Sequence, residues 1–264
     1  MSAVFHAARG GLGGRRLQAV IIGLVVLVST AASTLALGML ADAHSPFDHA
    51  FASQHGADLA FTVDTSVASA AQVTAATKVA GVTAVAGPFP VDNVTAQVTI
   101  PEVTGALNGE QLTLVARSSP AGPVDDLTLQ QGHWATGDNQ IVVSANGNAP
   151  GQLGATVTVG KQVMTVVGVV NSVTNTADAW ILPAEMSAIA GHGGAGQVQL
   201  LYRFAASATA TDLSADTRAV EAALPGGAVA GTPTSYLAVR QSEQSNVAPW
   251  VPFIIAFGVI ALVI

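Results

Sequence analysis

Three arrangements in this sequence combine residue types and spacings that chemistry uses. Asp42, His44, Asp48, His49 and His55 crowd into residues 42–55. Imidazoles and carboxylates are metal ligands, and His44 and Asp48, four apart, would share one face of a helix. The stretch GATVTVGKQ (154–162) sets two glycines before a lysine, as phosphate-cradling loops do. Asp125 and Asp126 are adjacent carboxylates, the residue type that acid–base chemistry pairs.

Each arrangement has a plainer reading that fits better. The His/Asp group follows a long apolar run directly, where a solvated polar stalk is expected. The glycine–lysine stretch has five residues between its glycines, and Gln162 follows Lys161. A phosphate loop needs four, then Ser or Thr, after a strand and at the start of a helix. Alternating Val and Thr make it a hairpin instead. Asp125-Asp126 reads as a solvated turn. Serines are plentiful, yet no Gly-x-Ser-x-Gly elbow occurs. Asn93-Val94-Thr95 fits a glycosylation acceptor with no meaning expected in a bacterium. The sequence therefore assigns no catalytic, cofactor-binding or metal-binding residue, and the expectation is a protein that is not an enzyme and takes no cofactor.

The elements around these residues say more. Of 264 residues, 50% are hydrophobic and only 9% charged, against about a quarter charged in a soluble domain. There is no cysteine, which excludes disulfides and thiolate chemistry. The alanine- and valine-rich alphabet fits a GC-rich bacterium. Arg9, Arg15 and Arg16 precede the first apolar run, and six basic against sixteen acidic residues follow it. An acidic bulk argues against a nucleic-acid partner.

The first run, Leu17 to Leu40, is uncharged over 24 residues. As a helix it would be about 36 Å long, enough for a ~30 Å hydrocarbon core. A signal peptide is the rival reading, but its apolar region is shorter, roughly 7–15 residues. Arginines before the run and aspartates after it put the N-terminus in the cytoplasm and the following domain outside. A second run starts near Pro249 and is uncharged through Ile264. Trp250 stands where an interfacial aromatic belongs. We read it as the start of a second span, in a chain cut from a longer membrane protein.

Between the runs the pattern is α+β. Residues 1–16 are a cytoplasmic leader, containing the flexible GGLGG, 17–41 a transmembrane helix and 42–57 a stalk broken at Pro46. Residues 58–125 and 197–237 form a discontinuous α/β subdomain. In it DLAFTVD is a strand, and a helix capped by Thr65 or Ser66 and ended by Gly81 buries Val67, Ala70, Ala71, Val73 and Val79. TAVAGPFPV and VTAQVTI are two strands around a Pro-rich break, and QLTLVARS is another. Residues 126–196 form an inserted β-rich subdomain, a small barrel or curled sheet, with Trp134 and Trp180 in its core. A strand QVQLLYRF follows, then a helix with Asp212 as candidate cap and Leu213, Thr217, Val220 and Leu224 on one face. Residues 238–248 are a second stalk, and 249–264 the truncated second transmembrane helix.

In this order the pieces resemble a permease of the FtsX/MacB-like superfamily of ABC transporters. RRLQAVIIGLVVLVSTAASTLALGML resembles its first span, and HSPFDHAFASQHGADLAFTVD its stalk and first strand. Gly132-His133-Trp134, then Gly154-x-x-Val157-x-Val159, then Val166-Val167-Gly168-Val169 resembles the progression of its β-rich stretch, with His133 where Arg is common. SYLAVRQSEQSNVAPWVPFIIAFGVIALVI resembles re-entry into the second span. The resemblance implies four spans or a multiple, a MacB-like periplasmic core domain, and a separate cytoplasmic ABC ATPase as partner. It also implies a permease dimer in membrane lipid, with ATP hydrolysis coupled to export or to mechanical work outside. Gly23, Ser29, Ala31, Ala32, Ser33 and Gly38 would let the first span pack closely against other helices. Two further readings stay open: an anchored domain that regulates a cell-wall hydrolase, and a structural or adhesive envelope domain. No substrate can be named.

Overall fold

Alternation of apolar and polar residues sets the first strand. In Leu59–Asp64 (β1), Leu59, Phe61 and Val63 point into the core and their neighbours point outward, as the two-residue period of a strand requires. In this computed structural model, residues 45–101, 106–147, 152–190 and 196–247 are described, together with Val20, Ile21, Gly23–Val28, Thr30, Ala31 and Thr34. The chain divides into two units, Phe47–Gln241 and the two flanking segments.

In the flanking unit, the described residues between Val20 and Thr34 are helical. The Thr30 and Thr34 hydroxyls donate to the carbonyls of Val26 and Thr30, four residues back. Among the described residues no helix is long and apolar enough to cross a membrane. The leader 1–16, the second apolar segment 249–264 and much of 17–41 lie outside the described residues.

Helix Ser45–Ser53 (α1) runs into the large unit, which begins at Phe47. Pro46 does not break this helix; it sits in the first turn, where its missing N–H has no intrahelical partner to lose. After β1 comes Ala70–Ala76 (α2), capped by Ser69 and not by Thr65 or Ser66. Asp64 is the reason: its carboxylate accepts from the Ser66 N–H and its carbonyl from the Ala68 N–H, which holds 65–68 in a turn. Ser69 and Gln72 then form a capping box. The buried stripe shifts with the cap. Ala68, Val73 and Ala76 are buried, Val79 is half-buried, and Val67, Ala70 and Ala71 are exposed.

Val82–Thr99 (β2) is one strand, not two around a break. Pro88 is absorbed where the pairing slips, between Ala86 and Phe89, and Pro90 sits just past it, opposite Val198. The remaining strands are Ala106–Ala116 (β3), Thr128–Gly132 (β4), Gln140–Ser144 (β5), Thr156–Val159 (β6), Gln162–Asn171 (β7) and Ala179–Ile181 (β8). Helix Pro183–Ala190 (α3) follows, then Gln197–Phe204 (β9), Ala210–Ala222 (α4), Thr234–Ser235 (β10) and Tyr236–Val247 (α5). The cap of α4 is Thr209, with Asp212 as its capping-box partner at the third helical position. Leu213, Val220 and Leu224 are buried as expected.

The strands make two sheets that share β2. Its first half, Val82–Pro90, pairs with β9 in the first sheet, ordered β10-β1-β9-β2. Its second half, Val91–Thr99, pairs with β3. From there the pairs run β3-β8-β5-β7-β6 and return to β2 at Ala96–Thr99. This ring is a small closed barrel, with β4 added on β7. The β6–β7 hairpin turns at Gly160-Lys161, as read from the sequence. The sheet does not divide at residue 126, because β3 and half of β2 belong to the barrel.

The barrel interior holds Val94, Val98, Leu112, Leu114, Ile141, Val157 and Met164, and α3 adds Met186 and Ile189. Outside it, Trp180 and Trp134 pack with Val91, Val142 and Val170, so both tryptophans serve the core. The first sheet packs Phe61, Leu200 and Tyr202 against α2 and α4. Phe61 is fully buried, edge-on to Tyr202 at 5.6 Å between ring centroids. Phe61→Ala should cost about 3–5 kcal/mol, read as a lower midpoint in chemical denaturation.

Candidate functional site

The chain enters the large unit through α1 and leaves it through α5, and the two helices touch. Arg240 donates to Asp48 at 3.0 Å. The Phe51 and Tyr236 rings lie 4.7 Å apart, and the Arg203 guanidinium lies over the Phe51 ring, 5.5 Å from its centroid. The Tyr236 hydroxyl donates to the Ser207 carbonyl and its N–H to the Asp58 carbonyl. Asp58 is buried and takes the Phe204 N–H on its carboxylate. Burial raises its pKa, and that hydrogen bond holds the rise back. The root of the domain is thus an ion pair at its rim and aromatic packing beneath.

Asp48, placed among possible metal ligands, is the partner of Arg240. Among the described residues no three His, Asp or Glu side chains gather to hold a metal. Asp42 and His44 lie outside them. His49 and His55 are exposed. The Gly154–Lys161 stretch is strand and hairpin, with no helix after it. Asn93 lies within β2, where its side chain accepts from the Thr113 hydroxyl.

One reading is overturned. Asp125 is no solvated turn residue: it is fully buried, while Asp126 is half-buried. The Ser172 hydroxyl donates to one carboxylate oxygen at 2.9 Å and the Thr176 hydroxyl to the other at 2.6 Å. Arg117, only 3% exposed, stands 3.6 Å from the carboxylate. Its guanidinium also donates to the Asp125 and Pro120 carbonyls and lies over the Phe89 ring. Burial pushes the Asp125 pKa up, against the pull of Thr176, Arg117 and Ser172. Burial pushes Arg117 down, against the pull of Asp125 and Asp126.

The C-terminal end of α1 closes this node. The Asp125 and Asp126 N–H groups donate to the His55 and Gln54 carbonyls. The buried Gln54 amide donates to the Thr128 hydroxyl and accepts from the Val173 N–H. From the first sheet, Gln199 donates to the Thr176 carbonyl. Gly56 allows the approach, since a Cβ there would run into the Phe51 ring and stand 3.0 Å from Val173. None of the node residues was singled out for this role from the sequence. The one available signal was an arginine leaving an apolar strand eight residues before a pair of aspartates.

A buried pair with filled hydrogen bonds and no open approach is suited to holding segments together, not to acid–base chemistry. Asp125→Ala should cost about 3–5 kcal/mol by leaving the buried Arg117 without its counter-charge. Because the folded-state pKa of Asp125 lies above its ordinary value, the native state holds a proton that the unfolded chain releases first. Its contribution is full below the ordinary Asp value and is lost as pH rises through the raised one. Unfolding free energy against pH should therefore fall across that window more steeply in the wild type than in Asp125→Asn.

No family model matches the chain, and no curated protein matches it. Solved structures do. The chain is similar to the extracellular domain of the noncanonic ABC-type transporter YknZ from Gram-positive bacteria. That match has 14% identity and a TM-score of 0.39, over 68% of this chain and 99% of the other. It is also similar to the periplasmic region of MacB from Actinobacillus actinomycetemcomitans, at 12% identity and a TM-score of 0.41, over 73% of this chain and 95% of the other. The structural neighbours of this mixed α/β domain are thus outward-facing domains of ABC-type transporters.

Proposed function

We propose that this chain is the first span and outward-facing domain of a permease subunit of an FtsX/MacB-like ABC transporter, moved by a separate cytoplasmic ATPase and working as a dimer in the cell membrane. The observation that carries it is the meeting of α1 and α5. Both ends of the domain emerge side by side, through Asp48–Arg240 and Phe51–Tyr236, and further out along the sequence lie the uncharged apolar runs 17–40 and 249–264. A domain inserted between two spans needs this geometry. The order of the sequence stretches quoted above supports the same reading. The protein would act by movement, exporting a substrate or doing mechanical work outside, and not by catalysis.

Orientation has a direct test, because Lys78 and Lys161 are the only lysines and both are exposed. A membrane-impermeant amine reagent should label both in intact cells. Labelling that appears only after permeabilisation would overturn the outward placement. The ATPase partner is tested by mild-detergent purification from native membranes. Co-purification of a protein carrying a Gly-x4-Gly-Lys-Ser/Thr loop is expected. Its absence, with the lysines labelled from outside, would favour an anchored envelope domain.

A further inference from the structure

We propose that the Gln54–Asp125 node is a stiff joint that couples the incoming helix α1 to the barrel directly, so that displacement of α1 reaches the barrel without first bending the first sheet. Its use in transmission rests on the permease reading; its existence as a joint does not.

Without the node the barrel hangs from the first sheet mainly by β2, whose pairing slips between Ala86 and Phe89 at the crossing point. A strand bends at such a slip. The side chains packed there are mostly small, Ala57, Ala86, Val124 and Leu201, with Ala60, Ala84 and Phe89 against them. Little in that contact would resist bending.

The node spans the same gap by another route. Gln54 and His55, just past α1, are bonded through their carbonyls to Asp126 and Asp125. The Gln54 side chain reaches Thr128 at the start of β4 and the Val173 N–H just after β7. Ser172 and Thr176 then tie the segment after β7 to the Asp125 carboxylate. These partners lie at the start of β4 and in the segments that connect β3 to β4 and β7 to β8.

Backbone conformation marks the same place. Among the described residues four non-glycines have left-handed φ, and three of them are His55 (49°), Asp125 (57°) and Asn175 (48°). Such conformations are uncommon outside glycine and persist where surroundings over-determine them. Their gathering in one polar cluster identifies a built geometry, not an incidental loop crossing.

The test uses the full chain in lipid nanodiscs. With no native cysteine, spin labels go only where placed. His49→Cys on α1 with Lys161→Cys on the β6–β7 hairpin reports α1 against the barrel. His49→Cys with Lys78→Cys reports α1 against the first sheet. All three positions are exposed. Gln54→Met removes the amide while keeping the volume, and Thr128→Val removes one acceptor. In either variant the α1–barrel distance distribution should lose its single narrow peak, while the α1–first-sheet distribution keeps its width. Unchanged distributions in both pairs would overturn the joint. Broadening of both would overturn it too, since α1 would then have come loose as a whole. Neither readout needs an ATPase, so failure of the joint and failure of the permease reading are seen separately.

Discussion

The cost of keeping the Arg117 guanidinium out of water organises the junction between the sheets. An ion of this size loses several kcal/mol of hydration on burial even after relaxation, so its donors must find acceptors. Two carbonyls, one carboxylate and the Phe89 ring supply them. The carboxylate is then itself a buried charge, and the Ser172 and Thr176 hydroxyls satisfy it. Placing those groups requires the chain to turn left-handed at Asp125 and Asn175. One cation thereby fixes the end of β3, the segment before β4 and the segment after β7. Because the Asp125 and Asp126 N–H groups are bonded to His55 and Gln54, it fixes the end of α1 as well.

That arrangement answers a difficulty created by β2. A strand shared by two sheets carries both ladders on one backbone, and each register slip in it is a point of compliance. The barrel is stiff by closure, since the ring of pairs from β2 round to β6 leaves none of its six strands unpaired on either side. The first sheet is stiffened by α2 and α4 packed on one face. The crossing between them is the soft part, and the polar node lies beside it.

The sequence declared what is local and hid what is not. Apolar patterning located β1, β5, β6, β7 and β9; β1 has one face in a core, whereas β5 is buried on both. The hairpin at Gly160-Lys161 was legible from its turn residues. Helix caps were misplaced by a few residues, since Asp64 competes for the N–H groups that Thr65 or Ser66 would have served. The short α3 went unread, although Pro183 at its first position is a start signal. The union of two expected strands into β2 could not be read locally, because Pro88 and Pro90 signal a break to any short window. Asp125 is the clearest failure. Whether an aspartate is solvated or buried depends on its partners, and these stand at positions 117, 172 and 176. The node is invisible until the barrel is closed.

The root and the node differ in kind, and the difference is mechanical. The Asp48–Arg240 pair is half-exposed, and such pairs contribute at most about 1 kcal/mol. It can part and re-form at little cost, whereas Tyr236 beneath it is held by its hydroxyl on the Ser207 carbonyl and its N–H on the Asp58 carbonyl. The Asp125 node is buried and directional, with both carboxylate oxygens bonded, so small displacements there meet steep resistance. The ion pair between α1 and α5 can therefore yield while the end of α1 stays fixed to the barrel side of the domain. A tilt imposed on α1 would then reach the barrel through Gln54, His55 and the Asp125 node.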